Sequence, residues 1–237
     1  MEVLQKVIAA SGQYSRRQAE ELIRAKRVTL NEEPAKLGQR AGENDVILID
    51  GKPLYGVAEK LYYKLYKPLD YTCTTRVFES ERNIFELLPK TQKLTIVGRL
   101  DKDSVGLVIL TNDGTLAHHL THPSFMVKKE YEAMVGGELL PEVLVKKLTK
   151  ALKSGIDIGE GEGLAWADEA TYLGQNVFHM VLTQGRKRQI RRMFEAKGLN
   201  VITLKRLSIG GVRLGDMTLG SFQTMNEKEI KMLRNLK

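Results

Sequence analysis

One cysteine, six prolines and 6% aromatic residues leave this 237-residue chain short of the usual covalent and rigid staples. The lone Cys73 cannot close an internal disulfide or complete a cysteine-rich zinc site, so a reducing compartment is expected. Long apolar runs are missing as well. Residues 107–110 make a typical run, far below the roughly 20 residues of a membrane span, and Glu2 and Lys6 interrupt any signal-like start. A soluble, cytoplasmic chain without membrane contact is the expectation. No repeat and no low-complexity tract is present, which sets aside solenoids and disordered arrays. Acidic residues are the scarcer sign: 37 Lys and Arg against 29 Asp and Glu give a net charge of +8, which makes a polyanion a candidate partner. The length suits one large or two modest domains, and 42% apolar residues suffice for a core.

Local patterns divide the chain into residues 1–50, a linker at 51–60 and a larger part at 61–237. Val3, Leu4, Val7 and Ile8 repeat on one helical face that Ser11 and Gly12 end. A second helix opens on Ser15 with Gln18 three residues on, a capping box, and is expected to reach about Arg27. Its Ala19, Leu22 and Ile23 share one arc; Arg16, Arg17, Arg24 and Arg27 share another, placed to meet phosphates although residues 1–50 carry eight basic and eight acidic side chains. Strands are expected at 28–30, 45–50, 61–66 and 201–209, a hairpin at 165–173 and 177–182 around 174–176, and helices at 141–153 and from the cap Asn226 to Arg234. These elements describe an α+β fold with mixed, mainly antiparallel sheet.

Three segments carry candidate chemistry. Residues 97–114 set glycines and charges between two apolar strands, with Asp101 directly after Leu100, where its carboxylate would be partly enclosed and need a cationic partner. Residues 185–192 hold Arg186, Lys187, Arg188, Arg191 and Arg192 around a helix start whose Ile190, Met193 and Phe194 form the packing face. In 129–131, period-two alternation puts Lys129 and Tyr131 on one side of a strand. His118, His119 and His122 have helical spacing, but nothing nearby completes a metal site, and the expectation is of none.

Residues 4–7, 15–23 and 27–31 resemble the S-four type RNA-binding domain. Gly98-Arg99-Leu100-Asp101 with Gly106-Leu107 and Thr111-Asn112-Asp113-Gly114, then Lys129 and Tyr131, then Gly185-Arg186 and Gln189-Ile190-Arg191-Arg192, together resemble the pseudouridine synthases that act on ribosomal RNA, the RsuA family. Arg188 stands where many members carry histidine. The resemblance implies an enzyme that needs no cofactor, in keeping with a chain lacking a phosphate loop and a dinucleotide fingerprint. It implies Asp101 as catalytic residue, acting by addition to the sugar or base or by removal of a sugar proton. Arg191 would pair with Asp101 and hold it ionised, and Tyr131 would stack on the uracil and take the proton from its carbon five. Lys129 would support the pocket, Ile190 would wall it, and Arg99, Arg186, Arg188 and Arg192 would hold phosphates beside it while Arg16, Arg17, Arg24 and Arg27 grip at a distance. Asp103 as the acting acid is the lesser alternative. The partner implied is ribosomal RNA or a subunit assembly intermediate, and residues 4–7 and 35–38 lean toward the large subunit. A monomer is expected, and a catalytically silent RNA-binding assembly factor is the rival reading.

Overall fold

A computed structural model describes residues 1–54, 56, 58–76, 78–89 and 93–236. The chain divides into two compact units. The first takes in residues 1–61 with 90–95 and 111–113; the second holds the remainder.

In the first unit, helix Leu4–Ala10 buries Leu4 and Ile8, and helix Arg16–Arg24 buries Ala19, Leu22 and Ile23. The Ser15–Gln18 capping box forms in both directions, satisfying two backbone donors that a helix start would otherwise leave open. This helix stops short of the expected end, because Ala25 caps it and Lys26 turns into the left-handed region at φ 55°. Arg27 therefore leaves the helical arc. The sheet beside the helices runs in the order Glu33–Pro34, Val28–Leu30, Ile47–Ile49, Lys52–Pro53, with antiparallel pairing throughout. Residues 52–53 thus belong to this sheet rather than to the expected linker, of which residues 55 and 57 lie outside the described residues.

The second unit is built on a nine-stranded sheet. Its order is Glu169–Gly174, Val177–Leu182, Lys129–Val135, Val201–Ile209, Val105–Thr111, Tyr62–Lys67, Phe222–Thr224, with Thr95–Val97 beside Val105–Thr111 and Val212–Arg213 beside Val201–Ile209. Most of the pairing is antiparallel, but Val105–Thr111 and Val201–Ile209 run parallel. The hairpin forms around Gln175 and Asn176, both left-handed, as a two-residue turn of matching twist requires. Its first strand begins only at Glu169, because Leu164–Ala165 pairs instead with Ile156–Asp157.

Two apolar clusters hold this unit. Helices Glu142–Ser154 and Gln189–Glu195 supply Leu148, Leu152, Ile190, Met193 and Phe194 against Ala133, Phe178 and Met180 of the sheet. Helices Gly114–Thr121 and Glu227–Arg234 cover Leu107, Ile109 and Ile209. The expected Asn226–Glu229 capping box opens the last helix. The α+β class, mainly antiparallel, is thus observed. No described helix is long and apolar enough to cross a membrane.

Candidate active site

The segment 98–104 joins strands Thr95–Val97 and Val105–Thr111. Three buried cations grip its main chain. Lys67 Nζ donates to the carbonyls of Pro68 at 2.9 Å, Lys102 at 3.3 Å and Ser104 at 2.7 Å. Arg206 donates from Nη2 to Gly98 at 2.6 Å, from Nη1 to Arg99 at 3.5 Å and from Nε to Leu107 at 2.7 Å. Arg191 donates from Nη2 to the Asp103 carbonyl at 2.7 Å and from Nη1 to Val201 at 2.6 Å. A buried charge is costly unless its donors are satisfied, and these carbonyl oxygens accept charge-assisted bonds from all three, while the buried Arg191 Nε makes no hydrogen bond and lies 3.3 Å from an Asp103 oxygen. Burial pushes the Lys67 ammonium below the ordinary lysine range, against the opposing pull of Cys73, Asp103, Asp101 and Asp70.

Within this frame the two acids differ in their partners. Asp101 Oδ2 has Arg188 Nη1 at 3.9 Å; Asp103 Oδ2 has the same nitrogen at 2.9 Å and Arg191 Nε at 3.3 Å. Two expectations are corrected here. Arg191 does not pair with Asp101 within 4 Å, because its buried guanidinium is committed to the Asp103 and Val201 carbonyls and meets the Asp103 carboxylate. Arg188, left-handed at φ 51° just before the helix Gln189–Glu195, is the guanidinium nearest Asp101. Nor is Asp101 enclosed: Leu100 takes the buried place, and the aspartate side chain stays 44% exposed.

On strand Lys129–Val135, Tyr131 lies opposite Arg206 on one side and Met180 on the other, half-buried against the core cluster. Lys129 Nζ donates to the Val127 carbonyl at 2.9 Å. Its pKa is lowered to about 8, by burial first and by the Arg206 charge second. Ile190 is packed in the core beside Phe194, so the expected pocket wall is a core side chain. Arg99 is exposed.

Arg186 and Arg192, expected to hold phosphates, have partners within the chain. Arg192 is held by Glu162 at 2.6 Å, by Glu160 at 3.3 Å and by the carbonyls of Ile158 at 3.0 Å and Gly159 at 3.1 Å. Arg186 Nη1 donates to the Glu162 carbonyl at 2.5 Å. Both arginines therefore fasten the 157–163 loop to the segment 186–192. A cavity of about 520 Å³ is lined by Lys187, Arg188 and Arg192 together with Asp157 and Glu160; Arg186, Asp101, Tyr131 and Arg191 do not line it.

In the first unit, Arg16 and Arg17 are exposed, Arg24 lies 3.8 Å from Glu20, and Arg27 is bound by both oxygens of Asp50 at 2.7 and 2.6 Å. The expected four-arginine face thus loses Arg27, whose guanidinium depresses the Asp50 carboxyl. His118, His119 and His122 gather around Phe125, and no three His, Cys, Asp or Glu among the described residues are placed to hold a metal. Lys67, Ser104 and Arg206 are the site residues that the sequence did not single out, and Asp103 entered there only as the lesser alternative to Asp101.

Residues 62–196 match the model of the RNA pseudouridylate synthase family, and residues 4–47 match the S4 domain. The chain is 36% identical over 249 residues to a ribosomal large subunit pseudouridine synthase B of Vibrio cholerae, covering 99% of this chain and 75% of that one. It is 35% identical over 244 residues to the protein of the same name from Bacillus subtilis, covering 100% and 97%. A crystal structure of a pseudouridylate synthase is similar at a TM-score of 0.70 and 28% identity, covering 98% of this chain and 100% of that one. Matched by the family model over residues 62–196 and by these relatives over nearly its full length, the chain that carries this cation-held aspartate loop is a member of the RNA pseudouridylate synthase family.

Proposed function

We propose that this protein converts a uridine of large-subunit ribosomal RNA to pseudouridine, with Asp101 as its catalytic residue. The observation that carries the reading is the exposed Asp101 carboxylate on a loop whose backbone is clamped by Lys67, Arg206 and Arg191. Such a group can meet a nucleotide without first rearranging its support. In the reaction the bond from ribose to N1 breaks, the base turns, and a bond from ribose to C5 forms. The C5 proton leaves, N1 gains one, and no redox partner or energy source is consumed. Tyr131 stacks on the uracil and takes the C5 proton, and Lys129 supports the pocket.

A uridine inside folded RNA must be everted first, at a cost of a few kcal/mol that phosphate contacts offset. Arg99, Lys187 and Arg188 meet the backbone near the loop, and Arg16, Arg17 and Arg24 of the first unit supply further phosphate contacts. Two weak modules on one chain gain affinity through effective concentration. The subunit is taken from the names of the full-length relatives, which act on the large subunit. Cytoplasmic residence and a monomeric state belong to the same reading. The test is pseudouridine mapping after incubation of the protein with transcripts of both ribosomal RNAs. Wild type should mark one large-subunit site, and Asp101→Asn should mark none while still binding RNA. Equal product from both proteins removes Asp101 from its role, and RNA binding without any product from wild type favours the assembly-factor reading.

A further inference from the structure

The first unit has a cavity of its own, of about 340 Å³, walled by Tyr14, Gln18, Glu21, Leu22, Ala25 and Arg27. Glu21, Leu22 and Ala25 follow Gln18 by three, four and seven residues along helix Arg16–Arg24 and its cap, so all four share one face. Tyr14 is half-buried against the core of this unit, which fixes its ring. Lys93 Nζ lies 6.0 Å from the centre of that ring. An anchored aromatic ring beside Leu22 and Ala25 offers a stacking surface to a flat ligand, and the volume admits one nucleobase. The polar groups narrow the choice. Gln18 Oε1 accepts from the Ser15 backbone at 3.0 Å and from Lys93 Nζ at 2.6 Å, so the amide nitrogen is the end left to donate. Arg27 is tied to Asp50 through Nε and Nη2. Arg24 leans on Glu20 at 3.8 Å, and the exposed Glu21 carboxylate joins no ion pair among the described residues.

A carboxylate only accepts hydrogen bonds, and an amide nitrogen only donates them. Of the four RNA bases, guanine alone presents two neighbouring donors, N1–H and the N2 amino group, beside an acceptor, O6, on one edge. Uracil sets a single donor between two acceptors, and adenine and cytosine each pair one amino donor with acceptors. We infer that this cavity is a binding site for an unpaired guanine base, stacked on Tyr14, with Glu21 receiving N1–H and the N2 amino group and Gln18 Nε2 donating to O6. Unpaired bases are read in this way, by an aromatic face and by groups on their pairing edge. The same chemistry would serve a guanine in single-stranded RNA or a free guanine nucleotide. Arg16 and Arg17, exposed at the start of the same helix, favour the RNA, whose further phosphates they can meet.

The experiment is fluorescence anisotropy of the whole chain with short labelled oligouridines that carry one guanine, adenine or inosine, and with guanosine monophosphate as competitor in a separate arm. Guanine RNA should bind about fivefold or more tighter than adenine RNA or inosine RNA, since inosine lacks the N2 amino group. Glu21→Ala should erase that preference by weakening the guanine complex. Loss of a negative charge would by itself tighten RNA binding, so the direction separates recognition from simple electrostatics. Tyr14→Ala should weaken every RNA of the set by about fivefold or more, while Tyr14→Phe, which keeps the ring, should match wild type. The inference is overturned if wild type binds guanine and inosine RNAs alike, or if Glu21→Ala retains the preference. Competition by guanosine monophosphate as strong as that by unlabelled guanine RNA keeps the site but overturns RNA as its ligand. No pseudouridine is measured, so this site and the isomerase reading stand or fall separately.

Discussion

Gly106 stands opposite Arg206 in the parallel pairing of strands Val105–Thr111 and Val201–Ile209, so close that a β-carbon on it would lie 2.4 Å from the Arg206 backbone nitrogen and oxygen. Its φ of 120° is also one that side-chain-bearing residues rarely adopt. Gly106→Ala is therefore expected to cost about 3 kcal/mol or more through strain and overpacking together. Chemical denaturation of the variant checks this, and a midpoint equal to wild type would refute the close approach.

Lys67 is fully buried, and its ammonium serves the Lys102 and Ser104 carbonyls of the site loop and the carbonyl of the adjoining Pro68. Lys67→Met keeps the apolar stem but leaves those oxygens without their donor. A loss of about 2–4 kcal/mol is expected. Turnover should fall with it while RNA affinity changes little, since the residue meets no solvent. Urea melts and binding titrations on the same preparation separate the two effects.

Lys129 gives a pH signature. Its folded-state pKa of about 8 lies below the ordinary value of 10.5. Between those values the folded chain has shed the proton while the unfolded chain still binds it, so stability rises with pH across that window and the burial penalty is fully present below about pH 8. Wild type should therefore gain stability from pH 8 to 10.5 relative to Lys129→Met. Melts at several pH values in this range give the difference, and parallel curves for the two proteins would contradict the assignment.

Arg16 and Arg17 sit exposed at the start of helix Arg16–Arg24. If they meet phosphates, Arg16→Ala and Arg17→Ala should each lower RNA affinity and reduce the slope of log affinity against log salt by about one. Arg27→Ala should do less, because its guanidinium is already bound to Asp50. Filter binding over a salt series distinguishes these outcomes.

What was legible in the sequence is what short-range hydrogen bonding dictates. The capping boxes at Ser15 and Asn226 and the turn at Gln175 and Asn176 are each written within about four residues, and each forms. Asp101 and the basic segment 185–192 stood out because charge clusters beside apolar strands are visible without coordinates. The partnership between them was not. Whether Arg191 reaches position 101 or 103 depends on how a helix packs over a loop nearly ninety residues away in the chain, and Val201 also claims one of its nitrogens. Lys67 and Arg206 were invisible for the same reason: a cation at a strand end or within a strand reads as exposed until the carbonyls that receive it are folded around it. Glu160 and Glu162, at a loop that composition marks as acidic and glycine-rich, took Arg192 away from solvent by an equally non-local fit.

The clamps on the site loop hold carbonyl oxygens of Gly98, Arg99, Lys102 and Ser104, and a carbonyl is common to every amino acid. The shape of the segment is consequently indifferent to the side chains at 99 and 102. A change of side chain at either position would therefore alter what the loop presents to RNA while the reacting acid keeps its place.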